Sequence, residues 1–201
     1  MINIWLIVAA VVSYLCGSIS SSVLITKYIY HTDIRTQGSG NAGATNAARV
    51  FGMKAGVMTF LGDILKTIIP MAIFGKLLGS EGLAISGACC LIGHCWPVYF
   101  GFRGGKGVST GAILALMVDW RIFLILVATF FLVFAICHIV SASSITVAAM
   151  FPIAAWFLHA PRPEFAMALF GGLLVIFQHR ANIGRLIRGE EKKFKAGGKK
   201  N

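Results

Sequence analysis

The stretch RIFLILVATFFLVFAICHIV, residues 121–140, carries one Lys, Arg, Asp or Glu side chain, at its first position. A bilayer core needs about 20 apolar helical residues, so this stretch is long enough to cross a membrane as one α-helix. Further apolar runs lie at residues 4–26, 54–78, 83–100, 108–118, 144–159 and 165–178. We therefore predict an all-α integral membrane protein with about seven transmembrane helices. The short run 108–118 is the weakest of them, and a tilted, broken or re-entrant segment is the alternative there.

The composition of the 201-residue chain agrees with this fold class, because 57% of its residues are hydrophobic and only 12% are charged. The net charge is +11, which favours anionic partners such as phosphorylated small molecules or anionic membrane lipid. We do not expect nucleic acid, since the basic residues lie between apolar runs rather than along one face. The five cysteines lie in or beside apolar runs, where cysteine acts as a small hydrophobe. We predict neither disulfides nor a metal site.

Basic residues concentrate in three connections: between the first two runs, between the third and fourth, and after the last. With seven spans, these three regions share one side, and the positive-inside rule assigns that side to the cytoplasm. The prediction is an amino terminus outside and a carboxyl terminus in the cytoplasm. We expect one domain over residues 1–201, in which residues 192–201 form a flexible basic tail.

The first polar segment is GSGNAGATNAAR, residues 38–49, and its first six residues fit the dinucleotide fingerprint G-x-G-x-x-G. A Rossmann loop follows a buried strand, whereas the polar exit of a membrane helix precedes this one, so we reject that interpretation. Glycines let backbone N–H groups approach a ligand, and Arg49 offers a forked phosphate donor. We weigh a phosphate-binding loop equally with a tightly packed interfacial loop.

The second polar segment is GHCWPVYFGFRGGKGVST, residues 93–110. It resembles a P-loop but lacks the hydroxyl residue that must follow the lysine, because Gly107 follows Lys106. A lysine and several N–H groups at a helix start still predict a phosphate cradle, with a flexible positively charged loop as the alternative.

The third polar segment, HRANIGRLIRGEEKKFKAGGKK at residues 179–200, begins where the last run ends. Asp63 and Lys66 are also polar but lie inside the second apolar run, three residues apart and hence on one helix face. A charge at the membrane centre costs about 2.5–3.5 kcal/mol, so we expect an inward-facing pair that braces the polar loops.

Together, GSGNAGATNAAR, GHCWPVYFGFRGGKG and HRANIGRLIRGEE resemble the three signature motifs of the bacterial acyl-phosphate:glycerol-3-phosphate acyltransferase family. The resemblance spans the chain. It implies a bacterial inner-membrane enzyme with seven spans, its motifs on the cytoplasmic side and no cofactor. The implied reaction moves a fatty acyl group from acyl phosphate to glycerol 3-phosphate, giving 1-acylglycerol 3-phosphate and phosphate, the first acylation of phospholipid synthesis.

The matching positions supply the expected site. The predicted catalytic residues are Ser39, Arg49, Lys106, His179 and Asn182. The predicted substrate-binding residues are Gly38, Gly40, Asn41, Thr45, Asn46, His94, Arg103, Gly104, Gly105, Gly107 and Arg180. Arg103 stands where the family more often has lysine, which keeps the charge but changes the shape of the donor.

An acyl phosphate is already activated, so we expect direct attack by the substrate hydroxyl without a covalent enzyme intermediate. The proton acceptor stays open between His179, His94 and a phosphate oxygen of the substrate. Ser39 is ranked as a binding hydroxyl rather than a nucleophile, because no G-x-S-x-G elbow surrounds it. The functional alternative is a transporter for a phosphorylated solute, which the chain's lack of internal repeats disfavours.

Overall fold

A computed structural model describes residues 3–194 of the chain, and every regular element in that part is helical. The α-helices are α1 (Ile4–Gly17), α2 (Ser21–Ile29), α3 (Ala44–Phe51), α4 (Met53–Cys95), α5 (Val108–Val118), α6 (Trp120–Cys137), α7 (Val140–Phe157), α8 (Arg162–Gln178) and α9 (Arg180–Ile187). Short 3-10 turns occur at Ile34–Thr36 and Val98–Phe100.

The surface of the helices is apolar, as a lipid-facing surface requires. Leu77, Ile136 and Phe157 are each about 70% exposed, which is the reverse of the usual pattern in a water-soluble domain. Within residues 3–194, four helical tracts are long and apolar enough to cross a membrane, and a fifth is added if α8 and α9, bent by 58°, count as one. The predicted all-helical membrane class is confirmed, whereas the count of seven spans stays a prediction.

Helix α4 is a hairpin of two antiparallel helices, residues 53–78 and 80–95, because the chain reverses at Gly79. This residue has φ 64° and ψ −151°, a conformation open to glycine. The two arms pack closely on each other: Cys90 Sγ lies 3.6 Å from both Lys66 O and Thr67 Oγ1. The two apolar runs predicted at 54–78 and 83–100 therefore correspond to two separate passes of the chain.

The first predicted run, 4–26, is interrupted where the sequence becomes rich in serine. Helix α1 ends at Gly17 and α2 begins at Ser21, and the backbone between them leaves polar groups inside the bundle. Lys66 Nζ donates to the Ile19 carbonyl oxygen at 2.9 Å. Ser21 Oγ donates to Asp63 Oδ1 at 3.1 Å. The Lys66 cation therefore lies near the carboxyl end of α1, and the Asp63 anion lies near the amino end of α2, as the helix dipoles favour.

The apolar core lies between α4, α5, α7 and α8 and contains Met71, Leu91, Leu114, Phe151 and Met167. It holds the helices so that the three polar segments meet at one end of the bundle, which we call the motif end. At the opposite end, Ser80 Oγ next to the Gly79 reversal donates to Glu164 Oε1 at 2.9 Å.

The chain after α9 returns to the bundle at the motif end. Phe194 N donates to His138 O at 2.9 Å, and the Phe194 ring meets Phe134 edge-on. These contacts fix the last described residues against the end of α6. The predicted flexible tail at 192–201 lies largely outside the described residues, since its positions 195–201 are not among them.

Candidate active site

A cavity of about 600 Å³ opens at the motif end, and residues of all three polar segments form its walls. The first segment contributes Gly38, Ser39, Gly40, Asn41, Gly43, Ala44, Thr45, Asn46 and Arg49. The second contributes His94, Lys106, Gly107, Val108 and Ser109, and the third His179, Ala181, Asn182, Arg185, Glu190, Glu191 and Lys192. The start of α7 adds Val140, Ser141 and Ser144.

The first segment is shaped by the buried side chain of Asn46. Its Oδ1 accepts from Ser39 N at 3.0 Å, and its Nδ2 donates to the carbonyl oxygens of Gln37 at 3.0 Å and Asn41 at 3.1 Å. These bonds make Asn46 part of the structure of the loop, and its predicted role in binding substrate stays a prediction. The loop in turn places Arg49 on the cavity wall. Among the described residues, Arg49 has no side-chain hydrogen-bond or ion-pair partner, so its guanidinium is available to an anion.

The second segment reaches the larger cavity at His94 and again from Lys106 onward, and backbone hydrogen bonds join these two parts. Gly104 N donates to Cys95 O at 3.2 Å, and Gly105 N donates to His94 O at 3.1 Å. A Cβ on Gly105 would collide with the His94 ring, so this close approach requires glycine. Lys106 follows directly, half-buried, and Nζ donates to Asn182 Oδ1 at 2.5 Å.

The third segment carries a hydrogen-bond network centred on the Glu191 carboxylate. Its Oε1 accepts from Asn182 Nδ2 at 2.6 Å and from Ser141 Oγ at 2.7 Å. Its Oε2 pairs with Arg185 Nε at 2.5 Å. These bonds fix the Asn182 amide with its oxygen toward Lys106, so the second and third segments form one connected wall.

Cations dominate the electrostatics of the cavity, which Arg49, Lys106, Arg185 and Lys192 line. Burial lowers the pKa of the Lys106 ammonium to about 8, a shift that the Glu191 carboxylate opposes. Burial acts to raise the pKa of Glu191, but hydrogen bonds from its three donors outweigh this effect, and the pKa lies below its ordinary value. Glu191 is therefore ionised at neutral pH and balances part of the positive charge.

The two cavity histidines present opposite chemistry. His179 Nδ1 lies 2.7 Å from Val175 O, and since a carbonyl oxygen only accepts, Nδ1 carries the proton and Nε2 has a free lone pair. His94 Nδ1 lies 2.9 Å from Lys66 Nζ, and since an ammonium only donates, the proton is on Nε2. His179 can accept a proton, whereas His94 can donate a hydrogen bond.

Most of the predicted site residues meet at this cavity. All five predicted catalytic residues line it, as do Gly38, Gly40, Asn41, Thr45, Asn46, His94 and Gly107. A neighbouring cavity of about 270 Å³ is lined by Gly104, Gly105 and Arg180, and it shares Asn41 and Lys106 with the larger one. Arg103 lines neither cavity and is exposed.

Three residues of the network were absent from the predicted site: Ser141, Arg185 and Glu191. Arg185 and Glu191 both lie within the third motif, HRANIGRLIRGEE, but no role was predicted for either of them or for the neighbouring Glu190. Glu190 instead pairs with Arg188 at 2.8 Å. The serine-rich stretch 141–144 between two apolar runs was the available signal for Ser141.

The rejected dinucleotide interpretation is inconsistent with the fold as well. The first segment follows α2 and a 3-10 turn and leads into α3, a helix of 8 residues, rather than joining a strand to a helix. The glycine-rich stretch is therefore a loop between helices.

Comparison with known proteins places the chain in a family. The family model described as glycerol-3-phosphate acyltransferase matches residues 7–189. A glycerol-3-phosphate acyltransferase of Clostridioides difficile is 44% identical over 94% of this chain and 95% of the relative. The enzyme of the same name from Syntrophotalea carbinolica is 42% identical over 92% of this chain and 95% of its own.

Solved structures agree. The crystal structure of PlsY (YgiH), an integral membrane glycerol 3-phosphate acyltransferase, in its glycerol 3-phosphate form has a TM-score of 0.90 to this chain. The two are 36% identical, and the alignment covers 95% of this chain and 96% of the other. The lysophosphatidic acid form has a TM-score of 0.88 at 35% identity. This chain, a bundle of apolar helices with one cation-lined cavity, therefore belongs to the glycerol-3-phosphate acyltransferase family, the integral membrane acyltransferases of phospholipid synthesis.

Proposed function

We propose that this protein transfers a fatty acyl group from acyl phosphate to the 1-hydroxyl of glycerol 3-phosphate, giving 1-acylglycerol 3-phosphate (lysophosphatidic acid) and inorganic phosphate. The observation that carries the proposal is the cavity at the motif end. Residues of all three signature motifs line it, and Arg49 and Lys106 are among them. The names of its relatives support glycerol 3-phosphate as the acceptor.

The acceptor phosphate binds to cationic and N–H donors of this cavity. Arg49 supplies a guanidinium without another partner among the described residues, and the first turn of α5 supplies amides at Val108 and Ser109 that no carbonyl pairs. Each charge-assisted hydrogen bond contributes about 1.5–3 kcal/mol. Two or three such bonds are enough to hold a dianionic phosphate in a partly dehydrated site.

The donor is an acyl phosphate, a choice that rests on the motif resemblance and on the chemistry of the two cavities. Lys106 lines both of them, and Arg180 lines the smaller one. One ammonium is thereby able to contact the phosphates of both substrates and to bring them together. The acyl chain extends toward the apolar surface of the bundle and so into membrane lipid.

The reaction proceeds by direct attack. The 1-hydroxyl oxygen forms a bond to the acyl carbonyl carbon, the bond from that carbon to the phosphate oxygen breaks, and phosphate leaves with the electron pair. The hydroxyl proton passes to His179 Nε2 or to a phosphate oxygen, whereas His94 Nδ1 already accepts a hydrogen bond from Lys66 and its Nε2 carries a proton. Ser39, exposed at the cavity mouth, acts as a substrate-binding hydroxyl.

The membrane arrangement completes the proposal. The Gly79 reversal makes two passes of α4, so that α1–α2, the two arms of α4, α5, α6, α7 and α8 give seven passes. We place the protein in the bacterial inner membrane with the motif end facing the cytoplasm, where most of the basic residues lie. Oligomeric state does not enter the proposal.

The deciding experiment measures formation of lysophosphatidic acid from labelled glycerol 3-phosphate, together with phosphate release, by the purified, detergent-solubilised protein. The substrates are glycerol 3-phosphate with palmitoyl phosphate, and palmitoyl thioester replaces the donor in a parallel reaction. We expect lysophosphatidic acid formation that requires both substrates, is matched by phosphate release with the acyl phosphate, is absent with the thioester and collapses in Arg49→Ala. Lys54→Ala is the matched control, because Lys54 is exposed and lines neither cavity. Absence of turnover from folded protein with either donor refutes the proposal.

A further inference from the structure

A chain of buried polar contacts lies next to the cavity and joins Asp63 and Lys66 to His94. The side chains of Lys66 and Asp63 are 4% and 2% exposed. Lys66 Nζ lies 2.8 Å from Asp63 Oδ1, 2.9 Å from Ile19 O and 2.9 Å from His94 Nδ1. An ammonium has three protons, so these three acceptors use all of them.

This arrangement determines the tautomer of His94. The ammonium cannot accept a hydrogen bond, so Nδ1 of His94 must present its lone pair and Nε2 must carry the proton. A second proton on Nδ1 would face the cation directly. Among the described residues, Asp63 and Lys66 are the ionisable side chains within hydrogen-bond or ion-pair distance of the ring, with Asp63 Oδ1 at 3.7 Å from Nδ1.

The other side of the His94 ring belongs to the anion site. His94 lines the larger cavity, its Nε2 is the atom that a Cβ on Gly105 would strike, and its carbonyl oxygen anchors Gly105 N. The ring therefore lies between the buried ion pair and the loop that carries Lys106.

We propose that Lys66 is a positioning residue: held by Asp63, it fixes His94 as the neutral Nε2–H tautomer, so that His94 acts in the cavity as a hydrogen-bond donor to the bound anion. The inference rests on the proposed function, because that anion is a phosphate or the developing oxyanion of the acyl transfer. Asp63 and Lys66 act through His94 and do not touch substrate. If the ion pair served only to hold the helices together, the tautomer of His94 would have no effect on turnover.

The first test reads the tautomer directly and is independent of turnover. The ¹⁵N chemical shifts of the imidazole nitrogens distinguish the two neutral tautomers, and His94→Gln assigns the signal among the five histidines. We expect His94 to be protonated on Nε2 alone in the wild-type protein at pH 7.5 to 9. A proton on Nδ1 overturns the inference, even if the protein proves to be an active acyltransferase.

The second test uses Lys66→Met. Without the ammonium, Asp63 becomes the nearest partner of His94 Nδ1 and takes its hydrogen bond, so the neutral ring turns to the Nδ1–H tautomer and Nε2 loses its proton. At lower pH the ring becomes an imidazolium, which carries protons on both nitrogens and restores the donor. Loss of one oxyanion donor costs about 10²–10³-fold in kcat in a well-studied hydrolase. We expect the variant-to-wild-type ratio of kcat/KM to fall by about tenfold or more between pH 6 and pH 9.

A merely structural ion pair predicts a ratio that is reduced equally at every pH, and that result overturns the inference. Lys76→Met is the matched control, an exposed lysine on the same arm of α4 whose removal should leave the ratio at one.

If Lys66→Met does not fold, Asp63→Asn/Lys66→Met removes both buried charges and provides folded protein. For this double variant we expect a pH-independent ratio of kcat/KM, because the competing carboxylate is gone. A fall in its ratio with rising pH like that of the single variant counts against the inference. An inactive wild-type protein refutes the proposed function alone, since the tautomer measurement still decides this one.

Discussion

The pH dependence of glycerol 3-phosphate use follows from the burial of Lys106. Burial lowers the pKa of this ammonium from 10.5 to about 8. A lysine is charged below its pKa, so raising the pH through 8 removes the charge. At pH 9 about one tenth of the free enzyme keeps the ammonium, whereas an ordinary lysine would remain charged.

The size of the effect follows from that fraction. If only the ammonium form binds the substrate phosphate productively, kcat/KM for glycerol 3-phosphate should fall about tenfold between pH 7 and pH 9. At still higher pH the loss of kcat/KM should level off, because one charge-assisted hydrogen bond contributes about 1.5–3 kcal/mol, which corresponds to about 10- to 150-fold. The parameter to measure is kcat/KM, because it reports groups of the free enzyme, before bound phosphate restores the pKa of the lysine.

The assay is phosphate release with both substrates well below their KM over pH 6.5–10, corrected for spontaneous hydrolysis of the donor, because saturating acyl phosphate would already place a phosphate on Lys106. Lys106→Arg is the matched variant: its guanidinium stays charged throughout, so its lower activity should be independent of pH over the same range. A flat wild-type profile, or the same alkaline loss in the arginine variant, would show that the titrating group is not Lys106.

Three further outcomes can be measured with the same assay. Glu191→Gln removes the carboxylate that supports the charge of Lys106, so the alkaline loss should move to lower pH; an unchanged midpoint would contradict the coupling between the two residues. Ser39→Ala should reduce kcat by no more than about tenfold, since one neutral hydrogen bond contributes about 0.5–1.5 kcal/mol, and a loss of three orders of magnitude would instead indicate a nucleophile. Gly105→Ala should raise KM for glycerol 3-phosphate, because a Cβ there collides with His94, and an unaltered KM would disprove the tight packing.

Much of the helical layout is predictable from apolar runs, because lipid selects for continuous stretches of apolar side chains. The run 108–118 coincides with α5, and the gap between the runs 54–78 and 83–100 contains the Gly79 reversal. The interruption between α1 and α2 was not predicted. The Ile19 carbonyl freed at this break is paired by Lys66, a contact 47 residues apart that no local pattern contains.

Placement at the cavity was predictable for Arg49 and Lys106, because a cationic side chain in a glycine-rich loop indicates phosphate binding. It was not predictable where a role depends on which partner the fold supplies. Ser141 and Glu191 are 50 residues apart and meet only because the chain after α9 returns to the start of α7. Arg103 has the charge of a binding residue, but it is exposed and lines neither cavity, a placement that the sequence pattern does not indicate.

The ion pair between Asp63 and Lys66 also constrains how the protein is made. Two ionisable groups in one apolar segment each cost about 2.5–3.5 kcal/mol at the membrane centre, so the arm 53–78 is a poor candidate for insertion into the bilayer by itself. Its partners come from both sides in the chain, Ile19 and Ser21 from the segment synthesised before it and His94 from the one after. We therefore expect this arm to enter the lipid together with the segment before it and the second arm, after all three have been synthesised.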